Sequence, residues 1–212
     1  MKLKSVFLTL CIGALLGTSC TIENEDSSTY PSLISELADL ETNAQGVMHR
    51  MLTDGGEQFY LSNPKSGYIA DAVYRGLCGY TKIQGSSKPM AQLSSLQHVV
   101  ILRDSTERPK KADPIKVVSA WRGGEYINLH LAPKTQGGVQ HWGFRKESIK
   151  EENGKKHLFL SLHHNQNNDR TSYTETVYAS LWLEPLKEIG KGDSVTLAIC
   201  TQNGFENFKF VY

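Results

Sequence analysis

Seven histidines, two widely separated cysteines in the body of the chain and a few paired carboxylates are the side chains that could do chemistry in this 212-residue sequence. His157, His163 and His164 fall near one expected strand, and His130 and His141 lie in neighbouring segments. Three imidazoles brought together would hold a transition metal. Six residues of extended chain put His157 and His163 about 20 Å apart, so those two cannot share one ion. A set drawn from His130, His141 and His163 across strands stays open, but polar residues on the wet face of a sheet account for the same pattern. The sequence carries no Cys-x-x-Cys, no His-Glu-x-x-His and no Asp-rich calcium loop, so no metal and no other cofactor is expected. Nucleophilic chemistry has no better footing, since no Gly-x-Ser-x-Gly elbow occurs. Cys78 and Cys200 stand inside apolar runs, where thiols are inert. Glu151-Glu152 sits in a Lys-bearing turn typical of solvated surface, and Gly123-Gly124 and Gly137-Gly138 read as hairpin punctuation. No catalytic residue is expected, and the chain reads as a protein that is not an enzyme.

Cys20 supports a different covalent chemistry. Lys2 and Lys4 make a basic start, Val6 to Leu16 is an apolar run too short to span a bilayer comfortably, and Gly17-Thr18-Ser19 are small. A cysteine directly after them marks a lipoprotein signal, residues 1–19, whose Cys20 is acylated and becomes the new N-terminus. Gly17 stands where the usual lipobox has Leu, with Leu16 one position further back. A plain secretory signal with an incidental Cys20 and an uncleaved anchor are the competing readings. Several acyl chains make a stable tether where one does not. Residues 20–34 are polar and acidic and read as a flexible stalk. Glu23, Glu25 and Asp26 resemble the export tag that some Gram-negative bacteria place after the lipidated cysteine, and they equally suit an ordinary solvated linker. The expected location is the outer membrane of a Gram-negative bacterium, with cell-surface display if the tag is real.

Composition narrows the partners. The formal net charge of +1 offers no basic field, so nucleic acid is not expected. Removing the signal leaves about 190 residues, room for one large or two small domains. Cys78 and Cys200 are either two small thiols or, in an oxidising compartment, a disulfide. Among the aromatics, Trp121, Trp142 and Trp182, with Tyr126, Tyr173 and Tyr178, could stack sugar rings or simply pack. Trp121 and Trp142 are the candidate ligand-surface residues. Paired exposed rings there would favour a glycan, and buried rings a protein or envelope partner.

The elements that must position these groups read as strands. Leu33, Leu37 and Leu40 have helical spacing and suggest one short helix or the entry to the first domain. Val47 to Leu52, Gln58 to Leu61, Leu77 to Ile83 and Gln97 to Leu102 read as strands, the first two joined by Asp54-Gly55-Gly56. Short strands curling on themselves suit a small OB-like barrel over residues 35–106. Asp104 to Pro114 is charged, contains two prolines and reads as a boundary. Residues 112–212 then show period-two strands: Ile127, Leu129 and Leu131 alternate with Tyr126, Asn128 and His130, implying one buried and one wet face. Val177 to Leu183 alternates likewise. Val195, Leu197 and Ile199 pair with Phe208, Phe210 and Tyr212 across an Asn203-Gly204 turn. The fold class is all-β, a small OB-like barrel followed by an antiparallel β-sandwich.

Pro114-Ile115-Lys116-Val117, the run Trp121 to Leu129, the run Leu160 to Asn165 and Gly192-Asp193-Ser194-Val195 resemble the NigD-like family. The likeness is densest from about Pro114 to Tyr212. It implies a lipid-anchored protein with an N-terminal OB-type domain and a C-terminal β-sandwich, without catalytic chemistry and without a functional residue to carry over. Two functions stay open: a non-catalytic envelope module binding a protein or another envelope component, and a surface glycan-binding module. The oligomeric state is not legible in the sequence.

Overall fold

A computed structural model describes residues 32–212. The expected signal peptide, Cys20 and all but the last residues of the expected stalk lie outside the described residues. Strands β1 (Ile34–Thr42), β2 (Met48–Thr53), β3 (Gln58–Lys65), β4 (Val73–Ile83) and β5 (Met90–His98) close into a barrel in the order β1-β2-β3-β5-β4. Ala38, Leu40, Met48, Met51, Phe59, Leu61, Cys78, Tyr80, Ala91 and Leu93 fill its interior.

The helical spacing at the start of the barrel is overridden. Residues 34–42 form β1, because two ladders engage that backbone at once, one edge pairing with β2 and the other with β4. A helix would have stacked Leu33, Leu37 and Leu40 on one stripe. In the strand, Leu40 points into the barrel, Leu37 packs on the other face and Leu33 is exposed.

The expected strand over Gln97 to Leu102 is two strands. β5 ends at His98, and β6 (Val100–Leu102) already belongs to the second lobe. The chain therefore passes from barrel to sandwich across Val99, whose amide donates to the Arg75 carbonyl at 3.4 Å.

The sandwich has two sheets. The first runs β6, β13 (Val177–Trp182), β8 (Tyr126–Ala132), β7 (Lys116–Gly123). The second runs β10 (His141–Glu152), β11 (Lys155–Asn165), β14 (Ser194–Thr201), β15 (Gly204–Val211). A small pair, β9 (Lys134–Thr135) with β12 (Tyr173–Thr174), sits beside them. Pairing is antiparallel except β6 with β13 and β11 with β14. Ile127, Leu129, Leu131, Leu158, Leu160, Leu181, Val195, Leu197 and Ile199 meet between the sheets. Their area leaves water at roughly 25 cal/mol per Å², which holds the layers together.

Turn chemistry fits the sequence with one shift. Asn153-Gly154 joins β10 to β11 with both residues at positive φ (52° and 71°). In the last hairpin Gln202-Asn203 makes the turn, one position earlier than expected, and Gly204 opens β15 at φ 104°.

Residues 103–113 are tied down along the second sheet. Asp104 bridges Phe144, Ala112 bridges His164, and the Ser105 amide donates to the Phe144 carbonyl at 2.7 Å. Gly143 permits this approach, since a Cβ there would stand 2.6 Å from the Arg103 carbonyl oxygen.

Candidate functional site

The alternation along β8 was expected to leave Tyr126, Asn128 and His130 wet. The parity is as read, but the wet face is largely covered: Asn128 is 0% exposed and Tyr126 9%. The barrel docks there, and Arg75 stands at the centre of the joint. Arg75 lies on β4 directly opposite Asp39 of β1, on the outer side of the barrel wall. Its side chain is 2% exposed.

Every guanidinium nitrogen of Arg75 has a partner. Nη1 lies 2.7 Å from Asp54 Oδ1 and 3.3 Å from Asp39 Oδ1. Nη2 donates to Asp54 Oδ2 at 2.7 Å and to Asn128 Oδ1 at 3.1 Å. Nε donates to Ser180 Oγ at 3.3 Å. Asn128 Nδ2 returns a bond to Asp54 Oδ2 at 2.8 Å, and Ser180 Oγ donates to Asn128 Oδ1 at 2.7 Å. Tyr126 donates its hydroxyl to Asp39 Oδ2 at 3.1 Å, and its ring centroid lies 4.0 Å from Arg75 Cζ. The fork of Arg onto Asp54 is the bidentate geometry that makes such pairs strong. Gly123 leaves room for it, because a Cβ there would stand 2.4 Å from Asp54 Oδ2.

Burial and charge oppose one another in this joint. Burial pushes the Asp39 carboxyl up, and Arg75 and the Tyr126 hydroxyl only partly counter it. Burial alone would lower the Arg75 pKa, whereas the Asp54 hydrogen bonds and charge, then Asp39, raise it. The Tyr126 phenol is raised by burial and by Asp39.

Two clefts flank the joint. The larger has a volume of about 560 Å³. Tyr126 and Trp182 stack along it with ring centroids 6.3 Å apart, and Val73, Ile101 and Leu52 add apolar wall. Asp39, Asp54, Glu125 and Glu184 supply carboxylates, and Arg75 is the single cation of the lining. The smaller cleft, about 410 Å³, lies between β1, β4 and the outer face of the first sheet. Trp121, His130 and Tyr178 line it, the last two stacked at 4.7 Å.

Trp121 and Trp142 are both half-buried and stand on different sheets. Trp121 faces the smaller cleft, whereas Trp142 stacks on His164 at 4.2 Å and packs against the sandwich core. The exposed indole is Trp182, at 42%. Its parity, opposite to Leu181 and Leu183, was the sequence signal for that exposure. Arg75, Asp39 and Asp54 were missed. The one available signal was a lone Arg inside the otherwise uncharged run Val73 to Tyr80.

The histidines do not converge. His130 lies on the outer face of the first sheet, His163 is buried on the second beneath residues 103–111, and His141 is exposed. His164 is buried with Nδ1 at 2.9 Å from the Asp113 carbonyl and Nε2 at 2.9 Å from Gln140 Oε1. Burial lowers the pKa of His163 and of His164, which favours neutral rings. Among the described residues no three His, Cys, Asp or Glu side chains are placed to hold a metal. Cys78 and Cys200 are separate free thiols, one in each lobe, and burial pushes the Cys78 thiol up to about 12. Glu151 and Glu152 are exposed at the β10–β11 hairpin.

A five-strand barrel joined through a buried arginine to a two-sheet sandwich defines a two-lobed, all-β class of protein with a cleft at the seam. Residues 98–212 match the NigD-like C-terminal beta sandwich domain, and the chain belongs to that family. Solved structures extend the likeness through the barrel. A NigD-like immunity protein of Bacteroides caccae is 22% identical, with 86% of this chain and 98% of that chain covered and a TM-score of 0.66. A candidate toxin-related protein of Parabacteroides distasonis is 13% identical over 85% of this chain and 93% of its own, TM-score 0.65. A candidate lipoprotein of Bacteroides fragilis is 9% identical over 85% and 97%, TM-score 0.61. At these identities the likeness establishes the shared fold. No curated protein is detectably similar in sequence. None of the three structures is named as an enzyme.

Proposed function

We propose that this protein is a non-catalytic binding module, tethered to the outer membrane through acylated Cys20, that receives a protein or another envelope component in the cleft beside Trp182. The observation that carries the reading is the cleft itself. It is concave, walled by aromatic and aliphatic side chains, and built where two lobes meet, which is where ligand sites concentrate. Arg75, Asp39, Asp54 and Tyr126 of its lining are engaged in holding the lobes together, and the lining offers no nucleophile–base pair of the kind covalent chemistry requires. The candidate lipoprotein from Bacteroides fragilis supports the tether, and the immunity-protein name from Bacteroides caccae supports a protein partner. A glycan is the second reading, favoured by the exposed Trp182 ring above carboxylates. Trp121 belongs to the neighbouring smaller cleft under either reading.

A photo-reactive residue at Ile101, on the cleft wall, tests the reading in intact cells carrying the full-length, lipid-anchored protein. One discrete adduct is expected, and Trp182→Ala should remove it without lowering the melting temperature. Equal labelling from Phe205, an exposed residue on β15, would count against the cleft.

A further inference from the structure

We infer that the occupant of the Trp182 cleft is a cationic segment of a partner protein, presenting a Lys or Arg side chain beside an apolar residue. The inference rests on the cleft being the binding site and adds the chemistry of what enters it.

Charge argues first. The lining holds four carboxylates, on Asp39, Asp54, Glu125 and Glu184, against the single guanidinium of Arg75. That guanidinium is spent, since all three of its nitrogens are bonded within the joint. An anionic ligand would find no free cation in the lining. Glu184 is exposed and has no ion-pair partner among the described residues. Glu125 accepts one bond, from the Tyr212 hydroxyl at 2.8 Å, through Oε2. Arg122 stands outside the lining, its guanidinium 5.5 Å from the Tyr212 ring centroid and donating to the Gly124 carbonyl.

The apolar wall argues second. Trp182 is 42% exposed, Val73 62% and Ile101 38%, an arrangement that water does not favour. A basic side chain lays its methylene stem along such a wall and keeps its charge at the rim. Indole is also the best aromatic partner for a cation.

Donor balance argues against a sugar. Hydroxyl groups need donors as well as acceptors around them. The Arg75 and Tyr126 donors are consumed by Asp39, Asp54, Asn128 and Ser180, so the open carboxylates of Glu125 and Glu184 only accept, and the Trp182 indole N–H is the one exposed side-chain donor of the lining set against them.

A random dodecapeptide library displayed on phage, panned against the full-length protein in lipid nanodiscs, tests this. Enriched peptides should carry Lys or Arg next to an aliphatic or aromatic residue. Their binding should fall at least 10-fold against Trp182→Ala and against Glu125→Gln/Glu184→Gln, with Trp182→Phe restoring most of it. It should also weaken as salt is raised. Circular dichroism melts confirm that each variant is folded. Peptides lost with Trp182→Ala but showing no basic bias would overturn the charge inference and leave the cleft standing. Binding on an oligosaccharide array that Trp182→Ala abolishes would replace the peptide by a glycan. Indifference of every ligand to all these variants would sink the cleft reading as well.

Discussion

Arg75→Met is expected to destabilise the protein by about 3–5 kcal/mol, the cost of leaving a buried charge without its partner. Methionine approximates the volume of the arginine stem but donates nothing. Asp54 then loses its two-pronged bond, Asn128 and Ser180 lose a shared donor, and Asp39 loses the charge on the facing strand. Urea unfolding followed by circular dichroism reads the effect as a lower midpoint. The pH dependence follows from Asp39. Burial already raises its pKa above the ordinary carboxylate value with Arg75 present, and removing the guanidinium leaves only the Tyr126 hydrogen bond to oppose that rise. A native group with a raised pKa binds more protons than its unfolded counterpart in the interval between the two values, so stability falls as pH rises through it. The deficit of Arg75→Met should therefore be largest near pH 7 and shrink toward pH 4. A variant as stable as the parent at pH 7 would show that the joint adds nothing to the fold.

Cys20→Ala should move essentially all of the protein out of the envelope fraction and abolish palmitate labelling. Each buried methylene contributes about 0.8 kcal/mol to membrane association, so several acyl chains on Cys20 would bind the protein to the bilayer on any experimental time scale. The sequence that follows offers no compensating basic charge, because residues 20–31 carry Glu23, Glu25 and Asp26 and no Lys or Arg. Fractionation with and without globomycin-type inhibition of the lipoprotein signal peptidase reads the outcome. Retention of Cys20→Ala in the envelope would contradict the tether.

The sandwich was the most legible part of the chain. Strict alternation along β8, β13 and β14 states which residues face the core, and the leucines, isoleucines and Val195 so marked are buried there, while Phe208 and Phe210 of β15 pack against that core half-buried. The Asn153-Gly154 hairpin likewise has a local cause: few residue types accept positive φ. Where long-range pairing decides, the sequence misled. Leu33, Leu37 and Leu40 carry a helical period, but the barrel needs a strand there to close between β2 and β4. Gln97 to Leu102 reads as one strand, and Val99 divides it between lobes.

The joint was hidden for a related reason. Tyr126, Asn128 and Ser180 sit at positions that a lone sheet would leave in water, and only the arriving barrel buries them. Asp54 reads as an ordinary turn residue before two glycines, and it is one; it is also the principal partner of Arg75. Asp39 and Arg75 face each other only because β1 and β4 pair in that register. Pairings of this kind join residues distant in sequence, with no local signature. Trp182 was nearer to being readable, since its parity sets it opposite the core leucines of β13. The larger cleft was not, because neither lobe contains it alone.

Differential scanning calorimetry of the full-length protein bears most directly on whether barrel and sandwich are one body around Arg75. A single transition is expected, with calorimetric and van't Hoff enthalpies equal, and Arg75→Met should split or broaden it. Two resolved transitions in the unaltered protein would mean that the lobes unfold independently, and a cleft depending on their union would not be a preformed site.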